Sequence, residues 1–183
     1  VDLLKEKFDI ILCSGVLHHM CDPLQGLEVL LKILKNDGFL KLGLYSELAR
    51  KDIVKARKYI TNKNLQANEE SIRDFRETIF SGKAPELNSL SKSSDFYTLS
   101  SCRDLCFHAQ EHRFTINQLQ ETLKSNELEF LGFLLPKPVK SLYKQYFPED
   151  KKQTNLQNWA KFEEKHPNTF AGMYQFWVSK ISI

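Results

Sequence analysis

The 183-residue chain contains no apolar stretch near the ~20 residues that a membrane-spanning helix needs, and no signal-peptide pattern opens it. A soluble, cytoplasmic protein is expected. Four cysteines, Cys13, Cys21, Cys102 and Cys106, are too few to staple a chain of this length, so reduced thiols are expected. The excess of positive charge is small: 26 Lys and Arg against 23 Asp and Glu give +3, well short of the balance of a dedicated nucleic-acid binder. None of the seven glycines falls in a G-x-G-x-G loop. With 42% hydrophobic, 27% charged and 11% aromatic residues, the composition excludes disorder, collagen and disulfide scaffolds. The first residue is Val1 rather than methionine, and a preceding piece of a parent protein is expected.

What is present begins with Phe8 to Ser14, an apolar run too short for a helix and bounded by Gly15. Such runs are typical of strands buried on both faces, so this one reads as the central strand of a parallel sheet. Asp22-Pro23 then starts a helix, with Asp22 as cap and Pro23 in the first turn, where its missing N–H is not needed. Leu24, Leu27, Leu30, Leu31 and Leu34 recur at helical spacing up to Lys35-Asn36-Asp37-Gly38, where Gly38 is expected to end the helix in the left-handed conformation. A second strand, Phe39 to Tyr45, follows. Strand, helix and strand in this order form the right-handed crossover of an α/β sheet.

The middle reads as helical. Glu47 to Asn64 and Asn68 to Phe80 each carry apolar residues on one face; Ser81 to Ser94 reads as a loop, and Thr98 to Gln110 as a shorter helix. The basic residues between Arg50 and Lys63 read as a solvated face, so nucleic acid is not expected as a partner. Sheet patterning then returns. Thr115 and Gln118 form a capping box, flanked by Phe114 and Leu119 at staple positions. A strand from Leu128 to Leu135 follows, stopped by Pro136 and Pro138, then two short helical patterns, Leu142 to Tyr146 and Leu156-Trp159-Phe162. In Gly172 to Ile181, Tyr174, Phe176 and Val178 alternate with Met173, Gln175 and Trp177, the period of a last strand.

The segment Phe-Asp-Ile-Ile-Leu-Cys-Ser-Gly-Val-Leu-His-His-Met-Cys-Asp-Pro from Phe8 to Pro23, with Leu-Lys-Asn-Asp-Gly-Phe-Leu-Lys-Leu-Gly from Leu34 to Gly43, resembles the class I S-adenosylmethionine-dependent methyltransferases. It looks like their fourth strand, the loop with paired histidines, the fourth helix and the fifth strand. Phe114 to Leu135 looks like the late helix and sixth strand, and the closing strand like the antiparallel seventh. Cys102 to Arg113 and Phe170 to Trp177 are similar to the methyltransferase part of bacterial proteins that often carry tetratricopeptide repeats upstream. The resemblance implies an α/β fold: a partial Rossmann-like sheet, strands four to seven, from residues 1–46 and 114–183, with a helical lid insertion at 47–113.

The family's grip on S-adenosylmethionine lies mostly in its first three strands, which the resemblance places upstream of Val1, in roughly 100 further residues. The fragment is therefore expected to be inactive by itself. Its first strand is expected to present an unpaired edge with a tendency to self-associate. In open α/β sheets ligands sit beyond the carboxyl ends of the strands, so Ser14 and Gly15, with His18 behind them, are the expected cofactor contacts. Methyl transfer from a sulfonium needs alignment first, and a base only when the acceptor atom carries a proton; a histidine, with a pKa near ~6.5, suits that role. His19, His112 and Glu111 are the candidate acid–base groups, against the plainer expectation that Glu111 pairs with Arg103 or Arg113. Tyr45, His108 and Arg113 are the candidate substrate contacts.

Cys102, Cys106, His108 and His112 invite a zinc reading, but Cys106 and His108 point to different sides of one helix, so no metal is expected. The acceptor is not identified by any motif. The alternative reading is a noncatalytic binding module that retains part of the methyltransferase fold.

Overall fold

The computed structural model describes residue 4, residues 6–108 and residues 110–181. Two compact units emerge: one holds the residues up to Ala49 and those from Gln110 on, the other begins at Arg50. Residues 47–49 and 110–113, assigned by pattern to the insertion, belong with the sheet. The reason is hydrogen bonding at the strand ends, where Phe114 N donates to Tyr45 O (2.9 Å) and Glu47 N to Phe114 O (2.9 Å).

Four strands, β1 (Phe8–Ser14), β2 (Leu34–Leu44), β3 (Leu128–Phe133) and β4 (Tyr174–Lys180), form one sheet in the order β1-β2-β4-β3. β1 and β2 are parallel; β4 lies between β2 and β3 and is antiparallel to both. The closing strand is therefore antiparallel, as the resemblance implies. On one face of the sheet Leu40, Leu42, Leu44, Tyr174, Phe176 and Val178 are buried. The helices over them are α1 (Pro23–Ile33), α5 (Ile116–Ser125), α6 (Lys137–Tyr146) and α7 (Leu156–Lys165).

Within this chain β1 lacks the cover on both faces that its apolar run suggests. Among the described residues it is the sheet's edge, with Ile10 58% and Leu12 67% exposed on the face away from the helices. An apolar run alone cannot tell a covered strand from one whose cover is elsewhere. Gly38 is also corrected. Its φ is not positive, and β2 already starts at Leu34, the pairing register with β1 shifting between Phe8 and Ile10. Glycine is required there by crowding: a Cβ would meet Leu34 Cδ1 at 2.8 Å and Asp9 O at 3.0 Å.

Local signals hold at the helix starts. Asp22 accepts from Leu24 N (2.9 Å) and Gln25 N (3.1 Å), and the Thr115–Gln118 capping box is complete. α6 begins at Lys137, five residues before the expected pattern, because Pro138 sits in the first turn instead of blocking it.

In the second unit α2 spans Lys51–Asn62, α3 Glu69–Phe80 and α4 Leu99–Cys106. The expected loop at 81–94 is instead largely 3₁₀ helix, Pro85–Lys92, because Leu87 and Leu90, three apart, both bury. This unit has its own core around Phe75, Phe96 and Cys102. Among the described residues no helix is long and apolar enough to cross a membrane, and no group of three or more His, Cys, Asp or Glu is arranged to hold a metal ion.

Candidate functional site

The carboxyl ends of β1 and β2 lie side by side, Ser14 pairing with Gly43. Crowding decides the residue type here. A Cβ on Gly43 would collide with Ser14 Oγ and stand 2.9 Å from Met173 Sδ. Gly15 turns the chain with φ +76°, a conformation that glycine adopts without strain. A Cβ at Gly15 would meet only Met173 Cε, at 4.0 Å, so the turn leaves open room beside the exposed Ser14.

The loop after β1 forms a single 3₁₀ turn, Leu17–His19. His18 is wholly buried, its ring stacked on Tyr45 with centroids 3.8 Å apart and edge-on to His19 at 4.4 Å. It offers no surface to a ligand, so the direct cofactor contact expected of it is not what this geometry provides. It acts as a packed support for the loop.

Residues 110–114 lie as a strap over both strand ends. His112 N donates to His18 O (2.8 Å) and Phe114 N to Tyr45 O (2.9 Å), so the strap is bonded to the loop after β1 and to the end of β2. His19 Nδ1 lies 3.0 Å from Gln110 O. A backbone carbonyl can only accept, so the proton of a neutral His19 is on Nδ1 and its lone pair on Nε2. The His112 ring instead engages the Gln110 amide, Nε2 to Nε2 at 3.2 Å. Glu111, its side chain fully buried, stands 3.8 Å from Arg113 Nη1, and Arg113 Nε donates to Glu47 Oε2 (2.9 Å). The expected pairing of Glu111 with Arg113 is present. His108 belongs to the second unit, just beyond Phe107, the C-cap of α4.

A cavity of about 580 Å³ opens beside the strap, lined by Cys21, Pro23, Leu24, His112, Gln118 and Glu121 among others. A larger one, about 730 Å³, lies at the opposite end of β2 against Asp37, Asn126 and Lys180. The smaller is the relevant one, because ligands of α/β sheets sit at the carboxyl ends of strands.

These ends match known proteins. Residues 1–42, which include β1, the histidine loop, α1 and most of β2, match the family described as methyltransferase domain. The Synechococcus sp. protein syc1184_c is 32% identical over 141 residues, covering 71% of this chain and 33% of its own length. PKMT2 from Rickettsia typhi superposes on the whole chain with a TM-score of 0.70 at 18% identity. Its structure in complex with AdoHcy superposes on 97% of the chain with a TM-score of 0.72 at 16% identity. The chain has the class I methyltransferase fold. It spans about a third of the length of the curated relative and 37% of each solved chain.

Beneath the strap the methyltransferase fold carries a buried carboxylate that pattern reading missed. Glu163, 1% exposed, accepts from Ser46 Oγ (2.5 Å) and from Tyr174 OH (2.6 Å). Ser46 Oγ also accepts from Ala49 N (3.0 Å), so the acid on α7 fixes the turn that follows β2. Burial pushes the Glu163 carboxyl above its usual range, and the two donated hydrogen bonds oppose that shift without cancelling it. One signal was available: Glu163 is four residues after Trp159 and adjacent to Phe162, which puts a carboxylate on the apolar face of a helix.

Proposed function

We propose that the protein to which this chain contributes transfers a methyl group from S-adenosylmethionine to an acceptor, that it works in the cytoplasm, and that this chain is its carboxy-terminal portion. β1, β2, β3 and β4 stand as strands four, five, six and seven of the methyltransferase sheet. The observation that carries the reading is the superposition of 97% of the chain on an AdoHcy-bound structure. Ser14 and the unhindered Gly15 turn suit the methionine portion of the cofactor, since the backbone there is open and carries no side chain.

S-adenosylmethionine would supply an activated methyl group, whose transfer needs alignment above all. This chain's part is to shape the acceptor side. Tyr45, bonded to the strap, and Arg113, within it, are assigned to acceptor binding. Where the acceptor oxygen or nitrogen carries a proton, His19 takes it, with Glu111 and His112 as the other ionisable groups of the strap.

Isothermal calorimetry tests the reading. The 183-residue chain alone is expected to bind AdoHcy weakly or not at all, whereas the protein extended upstream binds it at the micromolar level, about −8 kcal/mol. Micromolar binding by the chain alone contradicts the assignment of the main cofactor site to upstream residues. Absence of binding by the extended protein contradicts the methyltransferase reading and leaves a noncatalytic module.

Self-association belongs to the same reading. Among the described residues β1 is paired along one edge only, and its other edge lies next to the exposed Ile10, Leu12 and Phe39. Sedimentation of the isolated chain is expected to show concentration-dependent association that Leu12→Lys reduces. Dispersed monomers at high concentration would argue against an open edge.

A further inference from the structure

A third cavity, about 140 Å³, lies at the carboxyl end of β3, on the opposite edge of the sheet from β1. The strand contributes Leu131 to Leu134 to its wall, α6 contributes Lys140, the connection from α6 to α7 contributes Lys152 and Gln153, and β4 contributes Trp177. A bulge makes the room. Phe130 pairs with Val178 and Gly132 with Trp177, so Leu131 is an extra residue in β3, and Gly132 takes φ +122°, a value strained for any residue but glycine. A Cβ at Gly132 would have no neighbour within 4 Å, so open space lies against the backbone there. The facing wall is fixed: Gln153 Nε2 donates to Lys140 O (2.8 Å), and Trp159 Nε1 donates to Gln153 O (2.8 Å), which ties the connection to α6 and to α7.

Two of the wall residues are cations and none is an acid. Among the described residues neither the Lys140 nor the Lys152 ammonium has a hydrogen-bond or ion-pair partner, and neither has the Trp177 indole N–H. Asp150, two residues before Lys152, is committed elsewhere: it accepts from Tyr143 OH (2.5 Å) and from the backbone of Thr154 (3.2 Å) and Asn155 (3.0 Å). Donors that lack an acceptor suit an anion. Volume limits its size. At ~30 Å³ per water the cavity has room for about five waters, whereas a whole drug-sized ligand takes roughly 300–1,000 Å³, so a single oxyanion head fits inside and the rest of the molecule lies at the rim. That rim is apolar, with Leu131 and Leu134 exposed and Trp177 half-buried.

We propose that this cavity binds a small phosphate monoester with an apolar or aromatic body, the Lys140 and Lys152 ammonium groups holding the phosphate and Leu131, Leu134 and Trp177 receiving the body. Charge selects phosphate over carboxylate. A phosphate monoester carries about −1.5 to −2 at pH 7 and balances two lysines, where a carboxylate balances one. The site is separate from the strand ends assigned to methyl transfer, and it stands or falls independently of that assignment.

The test is a titration of the 183-residue chain followed by ¹H–¹⁵N NMR at the Gly132 amide and the Trp177 indole. Phenyl phosphate is expected to shift both signals saturably with a Kd below about 1 mM, inorganic phosphate to shift the same signals about tenfold more weakly, and benzyl alcohol to leave them in place. In the double variant Lys140→Gln, Lys152→Gln the Kd for phenyl phosphate is expected to rise at least about tenfold, with the backbone spectrum retained because both side chains reach solvent. Absence of saturable shifts up to about 10 mM phenyl phosphate overturns the proposal, and this outcome needs no variant to fold. An unchanged Kd in the double variant overturns it too. Equal binding of benzyl alcohol would leave an apolar crevice without an anion site, and equal binding of inorganic phosphate would remove the ester's body from the assignment.

Discussion

Trp159→Ala is expected to destabilise the sheet unit by about 3–5 kcal/mol, seen as a lower urea midpoint with little change in slope. Trp159 is 1% exposed and stacks on Tyr143 with centroids 3.7 Å apart, while Phe133 and Phe162 meet it edge-on at 5.4 and 5.5 Å. Its Nε1–H donates to Gln153 O at 2.8 Å, so alanine removes both a large buried volume and the partner of a carbonyl. The ring joins α6, α7 and β3, and a cavity at that junction cannot be filled by one neighbour without withdrawing another. Trp159→Phe retains most of the volume and is expected to lose much less. Equal losses for the two substitutions would mean that the hydrogen bond, not the packing, carries the effect.

Glu163 gives the second large effect, and it depends on pH. Burial holds its folded pKa above the value near ~4.3 of an exposed glutamate. A group shifted upward in the folded state contributes its stability below the unfolded pKa and loses it as pH rises through the folded pKa. Stability of the unaltered protein is therefore expected to fall as pH is raised from about 4 through the raised pKa, and Glu163→Gln is expected to flatten that fall. Tyr174→Phe removes one donor to the carboxylate, so the fall should move to higher pH. Glu163→Ala strands the hydroxyls of Ser46 and Tyr174 and should cost about 2–4 kcal/mol near neutral pH. Denaturant midpoints measured across pH decide the matter; parallel curves for the unaltered protein and Glu163→Gln would show that the acid is not the titrating group.

The two predictions differ in how readable they were. Trp159, Phe162 and the alternating Tyr174, Phe176 and Val178 declare themselves by spacing, because helix and strand periods act within one element. The caps at Asp22 and Thr115 are as local and are found where expected. The site is different. Ser46 meets Glu163 across 117 residues and Gln110 meets His19 across 91, and no period links residues that far apart. Gly15 and Ser14 could be placed because the resemblance supplied a strand end; the burial of His18 could not, since it depends on a strap that returns after the whole second unit. Gly38 shows the converse: its spacing reads as a helix-ending turn, yet it lies inside β2, and the close approach of Asp9 and Leu34 that requires glycine there is revealed only by packing.

The position of β4 bears on how the protein is made. As the chain leaves the ribosome, β2 and β3 are both complete dozens of residues before the strand that separates them exists. They do not pair with each other in the finished sheet, so each must wait with an open edge until Tyr174–Lys180 arrives to join them. Synthesis at ~5–20 residues per second makes that interval a matter of seconds, long against the microseconds of hairpin formation. In this protein the sheet closes only once the chain has been made through Lys180, whatever else is folded by then.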